Sequence, residues 1–328
     1  MKRKNNYIRI YELEREKINK ILSGALRNRK PASLYEPGSY ILNSGGKRLR
    51  PLLVLLSAKA VGGKFNNAYN AAAAVEMLHN FTLVHDDIMD NADKRRGRLT
   101  LHKKYDYNTA ILTGDSLLSI AYEYLLKDCN GNANEVIGAF THGLIEVCEG
   151  QSLDTDFELR RNVSSSEYID MIKKKTAAMA EMCCKIGALL GGGTSSQVKA
   201  LGNYGLNLGI AFQIQDDLLD ISADEKKFGK TIGGDLVEGK KTFLFLEALE
   251  KSKGEDRKKL LKVIERKGIR RNQVITYKLL YEKLGVQDAA RKEIFNYTQK
   301  ALRSINLLDD KNKKIFKWLA DSLIHRTS

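Results

Sequence analysis

The sequence predicts an all-helical protein built as a single domain over residues 1–328, and three observations carry that expectation. Proline occurs only as Pro31, Pro37 and Pro51, so the chain from Leu52 onward has none of the residue that most strongly breaks helices. Residues 71–78 (AAAAVEML) and 117–126 (LLSIAYEYLL) are too long and too rich in Ala and Leu to be buried strands. Glycines stand where such runs stop, at Gly62-Gly63, Gly131, Gly191-Gly192-Gly193, Gly229 and Gly268. About ten helices joined by short loops are expected. The last segment, residues 257–326, repeats an amphipathic spacing with Leu260, Leu261, Ile264, Ile315, Trp318 and Leu319 on apolar faces, and reads as scaffold.

Composition narrows the function classes. A chain that is 43% hydrophobic and 29% charged can bury a large core and still solvate its surface. Its net charge of +15 favours anionic partners: nucleic acid, an anionic membrane surface or phosphorylated small molecules. No helix-turn-helix, zinc-finger or RNA-binding signature is present, so no nucleic-acid partner is expected, whereas peripheral contact with an anionic membrane is. Cys129, Cys148, Cys183 and Cys184 fit neither a disulfide framework nor a zinc pattern, and read as reduced core residues. The N-terminus is charged rather than apolar and no apolar run is long enough to span a bilayer, which points to a cytoplasmic protein.

Two acidic triplets carry the chemistry. Asp86, Asp87 and Asp90 stand at i, i+1 and i+4, and Asp216, Asp217 and Asp220 repeat that spacing. On a helix the first and last members share a face one turn apart, where like charges repel unless a cation lies between them. A single triplet is ordinary on a solvated turn; two copies, each embedded in apolar residues, are not. Facing each other across a bundle, six carboxylates would suit Mg²⁺, a hard cation that binds oxygen and bridges to phosphate.

Cations stand near these triplets in sequence. Lys94-Arg95-Arg96-Gly97-Arg98 follows Asp90 closely, and the arginine fork matches phosphate oxygens. The segment Gly45-Gly46-Lys47-Arg48-Leu49-Arg50-Pro51 is a glycine turn with three cations, a candidate second phosphate cradle. Lys173, Lys174, Lys175 with Thr176, Lys230 and Lys240 add further candidates. Two phosphate cradles and a metal cluster suggest chemistry at a carbon bearing a diphosphate, with Mg²⁺ and cations stabilising the departing pyrophosphate. There is no Ser, Cys or His nucleophile arrangement and no phosphate-binding loop ending in Gly-Lys-Ser/Thr.

The segments DDIMD (86–90), RRG (95–97) and FQIQDDLLD (212–220) resemble the trans-polyprenyl diphosphate synthases. Residues 45–51, Thr113-Gly114-Asp115, Gly150-Gln151, Lys175-Thr176 and Gly239-Lys240-Lys241-Thr242 are similar to the family's other signature segments, in order, so the likeness spans most of the chain. The resemblance implies the isoprenoid synthase fold, an antiparallel helical bundle around a deep central cavity, in a homodimer. It implies stepwise condensation of isopentenyl diphosphate with an allylic diphosphate. The six aspartates would bind Mg²⁺ or support it. Arg95, Lys175, Thr176, Gln213, Lys230 and Lys240 would hold the allylic diphosphate; Gly46, Lys47, Arg50, His79 and Arg96 would hold isopentenyl diphosphate. Asp86, Asp87, Asp90, Arg95, Lys175, Thr176, Gln213, Asp216 and Lys230 form the implied catalytic set. One departure is visible: Leu99-Thr100 stands where the family commonly has Pro-Thr, with a small effect expected.

Residues one and two turns before Asp86, namely Phe81 with Thr82 and Met77 with Leu78, should line the cavity for the growing chain. An aromatic residue five positions before the first aspartate resembles the archaeal type of geranylgeranyl diphosphate synthase, so a C20 product is expected. Farnesyl or longer (C30 and above) products, a class I terpene cyclase and a regulatory subunit are the alternatives. The cyclase would not need the 45–51 cradle, and a regulatory subunit would be expected to have lost carboxylates that this chain keeps.

Overall fold

The computed structural model describes residues 2–222 and 232–324. Gly229 and Lys230 lie outside the described residues. The expected helices are present, and among the described residues the regular structure is helical apart from one two-stranded hairpin. Among the described residues no helix is long and apolar enough to cross a membrane.

In order, the helices are α1 (Lys2–Ala25), α2 (Ala32–Leu42), α3 (Leu49–Ala60), α4 (Tyr69–Met89), α5 (Leu101–Lys104), α6 (Tyr107–Lys127), α7 (Ala133–Leu159) and α8 (Ser165–Ile172). A π turn, Lys173–Ala177, leads into α9 (Ala178–Leu190) and α10 (Ser195–Ser222). The remainder is α11 (Gly234–Glu238), α12 (Phe243–Lys251), α13 (Gly254–Arg266), α14 (Val274–Lys283), α15 (Val286–Ser304) and α16 (Asp310–Ile324). Strands β1 (Lys94–Arg95) and β2 (Arg98–Leu99) pair antiparallel. More helices form than the expected ten; the C-terminal segment breaks at Gly268, as expected, and again at Gly285, both with positive φ.

The chain forms two compact units, with boundaries inside α7, α9 and α10. The first comprises residues 1–141 and 182–201. Its centre is α4, whose Ala71, Ala72, Ala73, Ala74, Val75, Met77 and Leu78 are fully buried, packed chiefly on α6 and α3. Small side chains let these helices approach closely. A Cβ on Gly187 of α9 would lie 2.1 Å from the Val54 carbonyl oxygen of α3, and one on Gly191 would lie 2.4 Å from that of Ala58. Cys183 and Cys184 belong to this core as expected, but Cys148 on α7 is exposed.

The second unit comprises residues 142–181 and 202–328. Its core gathers Phe157, Tyr168, Ile172, Ile214, Phe243, Leu244, Leu260, Tyr281 and Ile294 from helices far apart in sequence. A capping box starts α8: the Ser164 hydroxyl accepts from Glu167 N–H, while the Glu167 carboxylate accepts from Ser164 N–H.

Candidate active site

Each unit gathers its own half of the residues singled out from sequence. In the first unit Asp86, Asp87 and Asp90 close the C-terminal end of α4, Asp90 being its cap. Asp87 is buried and accepts from Arg95 Nε at 2.7 Å. Burial pushes its carboxyl above the usual range despite the opposing charge of Arg95. Asp86 is half-buried and Asp90 exposed, so Asp87 is the member turned inward. Gly114 of α6 lets α4 and α6 meet here: a Cβ on it would lie 2.4 Å from His85 Nε2. The His85 ring in turn lies 4.6 Å from that of Phe81.

Arg95 and Arg96 are placed by the β1–β2 hairpin, whose two-residue loop is Arg96-Gly97 with φ of 51° and 76°. Positive φ at both central positions is the type I′ pattern that matches strand twist, and it is uncommon for arginine. The Arg96 guanidinium donates to the Gly45 carbonyl oxygen. It also covers Gly46, where a Cβ would come within 2.9 Å of its Nη1. Arg50 Nη1 donates to His79 Nε2 at 3.2 Å, and the buried His79 Nδ1 has no hydrogen-bond partner among the described residues. Burial, then the charges of Arg50, Arg96, Arg95 and Arg48, hold His79 well below its ordinary value, so it is neutral near pH 7. Desolvation likewise lowers Arg50 and Arg96. Tyr11 fixes the turn by donating to the Lys47 carbonyl oxygen at 2.7 Å, and Lys47 itself is exposed.

Of the three cations in this turn, Arg48 differs. It is buried, bonded to Glu76 at 2.6 Å, to Asn19 Oδ1 at 2.9 Å and to the Leu42 carbonyl oxygen at 2.7 Å. It pins the turn to the core. Gly46, Lys47, Arg50, His79 and Arg96, predicted to act together, are carried by this turn, by the hairpin that reaches over it and by α4 beside it.

In the second unit a chain of hydrogen bonds links the predicted residues to one that sequence did not announce. Thr176 Oγ1 donates to Gln213 Oε1 at 3.0 Å, and Gln213 Nε2 donates to Asp217 Oδ1 at 3.1 Å. Asp217 also accepts from the Tyr168 hydroxyl and, at 3.2 Å, from Phe243 N–H. Burial raises the Asp217 carboxyl to about 6 against these bonds. Asp220 accepts from the backbone N–H groups of Gly234 and Asp235, each at 3.2 Å. Asp216 is half-buried, and Asp217 is the inward member here as Asp87 is in α4.

Tyr168, Thr176, Gln213 and Asp217 line a cavity of about 150 Å³ that also takes in Lys175, Lys240, Asp154 and Asp235. Lys175 pairs with Asp154, and Lys240 with Glu238 at 2.7 Å. Lys174 is drawn away by Glu146 and Glu149, at 3.0 and 2.5 Å. Asp235 is raised to about 7, by burial and then by the charges of Asp220 and Asp217. Tyr168, Asp154 and Asp235 escaped sequence reading. The only signal was Asp154's place one helical turn after Gly150-Gln151, because what commits these residues is tertiary pairing.

The donor set can be tested against Mg²⁺. Among the described residues no three His, Cys, Asp or Glu side chains form a ready-made cation cage. Asp86 with Asp90 one turn on, and Asp216 on its own helix, fit an ion that takes one or two carboxylates and fills its remaining positions with water and substrate phosphate. The residues therefore fit Mg²⁺ brought together with a diphosphate.

The polyprenyl synthetase family model matches residues 31–282. The chain belongs to that family. It is 40% identical over 316 residues to the geranylgeranyl diphosphate synthase of Sulfolobus acidocaldarius, spanning 94% of this chain and 95% of the relative. A geranylfarnesyl diphosphate synthase of Natronomonas pharaonis is 42% identical over 253 residues, 71% of this chain and 74% of that one. Among solved structures, the geranylgeranyl pyrophosphate synthetase of Pyrococcus horikoshii superposes with a TM-score of 0.91 at 35% identity, covering 99% of this chain and 100% of that one.

Proposed function

We propose that this polyprenyl synthetase condenses isopentenyl diphosphate head to tail with allylic diphosphates, with Mg²⁺, and releases geranylgeranyl diphosphate. The observation that carries the reading is the repeated triplet in which the middle aspartate, Asp87 or Asp217, is buried and bonded to protein donors. Asp86, Asp90 and Asp216 would hold Mg²⁺; Asp87, Asp217 and Asp220, each committed to protein donors, would fix their helices and neighbours. When bound, Mg²⁺ supplies charge stabilisation for the leaving pyrophosphate.

The chain's own residues supply the rest. Lys175, Lys240 and Arg95 would hold the allylic diphosphate, with Lys230, which lies outside the described residues. Heterolysis of the allylic C–O bond would leave an allylic cation beside Thr176 and Gln213, whose oxygen dipoles can face it. The isopentenyl double bond then attacks, with its diphosphate held by Lys47, Arg50 and Arg96 over Gly46, and with His79 keeping Arg50 aimed. The departing pyrophosphate takes the proton that is lost.

Relatives named for C20 and for longer products share the family, so chain length must rest on particular side chains. Phe81, with Thr82, would set the floor above the fully buried Met77 and Leu78. A homodimer is part of the reading, supported by Tyr107, Ile111 and Leu112 exposed together on α6.

The deciding experiment is a product assay with isopentenyl diphosphate and each of the C5, C10 and C15 allylic diphosphates, with Mg²⁺ or with chelator, read by mass spectrometry. Metal-dependent C20 is expected. C15, or C25 and longer, would overturn the Phe81 floor while keeping the condensation; no elongation with any starter would overturn the function.

A further inference from the structure

Residues 257–283 hold ten Lys or Arg against two Glu, a net +8 out of the chain's +15. They form most of α13, the turn after it and α14. Lys259, Lys262 and Arg266 recur at i, i+3 and i+7 and so share one face of α13. That face borders a groove of about 280 Å³ floored by Val263, Tyr277 and Leu280. The ion pairs of this stretch are Lys258–Glu255, Lys259–Asp256, Lys283–Asp256 and Arg161–Glu265. Among the described residues none of them engages Lys262 or Arg266, which are both exposed.

The other half of the pattern is on α14. Thr276 and Leu280 turn toward the groove, while Ile275 and Leu279, one turn apart, stand in solvent at 72% and 59% exposure. A solvated helix face places polar residues at such positions. Exposed branched aliphatics near Lys262 and Arg266, which have no ion pair among the described residues, form an interfacial pattern: apolar groups that enter the headgroup boundary and cations that meet lipid phosphate. A nucleic acid would use the cations but would leave Ile275 and Leu279 in water. A second copy of this chain, meeting the same patch about a two-fold axis, would set net +8 against net +8.

We propose that the α13–α14 face docks the protein on an anionic bilayer surface, with Lys262 and Arg266 on lipid phosphates and Ile275 and Leu279 among the outermost acyl carbons. None of these four residues belongs to the aspartate triplets or the diphosphate-binding sets, so docking is separable from condensation.

The test is co-sedimentation of the full chain with vesicles of phosphatidylcholine, alone or with one part in four phosphatidylglycerol, at about 0.05 and 0.5 M salt. Binding only to the anionic vesicles, weakened at least ten-fold by the higher salt, is expected. Lys262→Glu with Arg266→Glu should weaken it at least ten-fold, and Ile275→Ser with Leu279→Ser several-fold, with circular dichroism and condensation of soluble substrates unchanged in both. Failure of the native chain to bind anionic vesicles overturns the proposal, as does equal binding to neutral ones. So does full binding by both variants, retention of RNA but not vesicles, or a change of oligomeric state in the Ile275 and Leu279 variant.

Discussion

At the scale of single residues, the aspartates of one triplet are not equivalent, and substitution should separate them. Asp87 is buried against Arg95, whereas Asp86 is half-buried beside it. Asp87→Asn leaves a guanidinium without its carboxylate, and because Arg95 is partly solvated the expected loss is about 1–2 kcal/mol in urea unfolding, with measurable turnover kept. Asp86→Asn should leave the unfolding midpoint in place and lower kcat by about 10²–10³, the size of a lost electrostatic contribution to a charged transition state. The opposite allocation in the two measurements would end the division of roles. His79 gives a pH dependence. Folded, it is held well below its ordinary value by burial and by Arg50; unfolded, it titrates near 6.5. Below that pH the unfolded chain binds a proton that the folded one refuses, so stability present above about 6.5 falls with pH toward the depressed folded value. Between pH 7.5 and 5.0 the native chain should lose on the order of 1 kcal/mol more than His79→Gln. Equal losses would show that His79 is not held neutral.

Among the elements, the π turn Lys173–Ala177 carries Lys175 and Thr176, two residues of the proposed site. A Cβ on Gly150 of α7 would lie 2.1 Å from Lys175 N, and one on Gly209 of α10 would lie 2.6 Å from Ala177 Cα, so the turn is held between two glycine gaps. π turns cluster at functional sites because the extra residue re-aims side chains. Gly150→Ala should therefore cost about 1–3 kcal/mol through overpacking. Because Lys175 and Thr176 shift with the turn, KM for the allylic diphosphate should rise at least ten-fold and that for isopentenyl diphosphate should not; equal rises would mean a general loss of fold. Helix α4 makes the other element-level test. Phe81→Ala should move product toward C25 and beyond in chromatography of the dephosphorylated alcohols, and an unchanged C20 product would remove Phe81 as the floor. Such features show how far sequence reached. Helices were legible because Ala and Leu runs without proline have one local solution, and the triplets because an i, i+1, i+4 spacing is complete within one stretch of sequence. The π turn, the Arg96-Gly97 hairpin loop and the roles of Tyr168 and Asp235 were not, because each depends on a neighbour far away in sequence. Arg48 looked like a third phosphate cation for the same reason: nothing local reveals Glu76 beneath it.

For the whole molecule, the outward face of α6 is where the proposed dimer would connect assembly with activity. Tyr107 and Ile111 lie one turn apart with Leu112 beside them, the last 59% exposed, on a helix whose opposite side packs on α4. Apolar groups collected in this way are costly in water and would be relieved by a second copy meeting the same face about a two-fold axis. Sedimentation should therefore give about twice the chain mass of 36.9 kDa. Ile111→Glu with Leu112→Glu should return the single-chain mass, since charges facing their own copies across a two-fold axis repel, while exposed positions cost the protomer little. An unchanged mass would place the contact elsewhere. Activity should fall with the dimer even though neither residue reaches a substrate. Gly114 of the same helix lies directly under His85, the residue before Asp86. A helix relieved of its partner can shift by the fraction of an ångström that this contact tolerates least. The rate per chain, followed over a dilution series of the native protein, should then decline along the same curve as the dimer fraction.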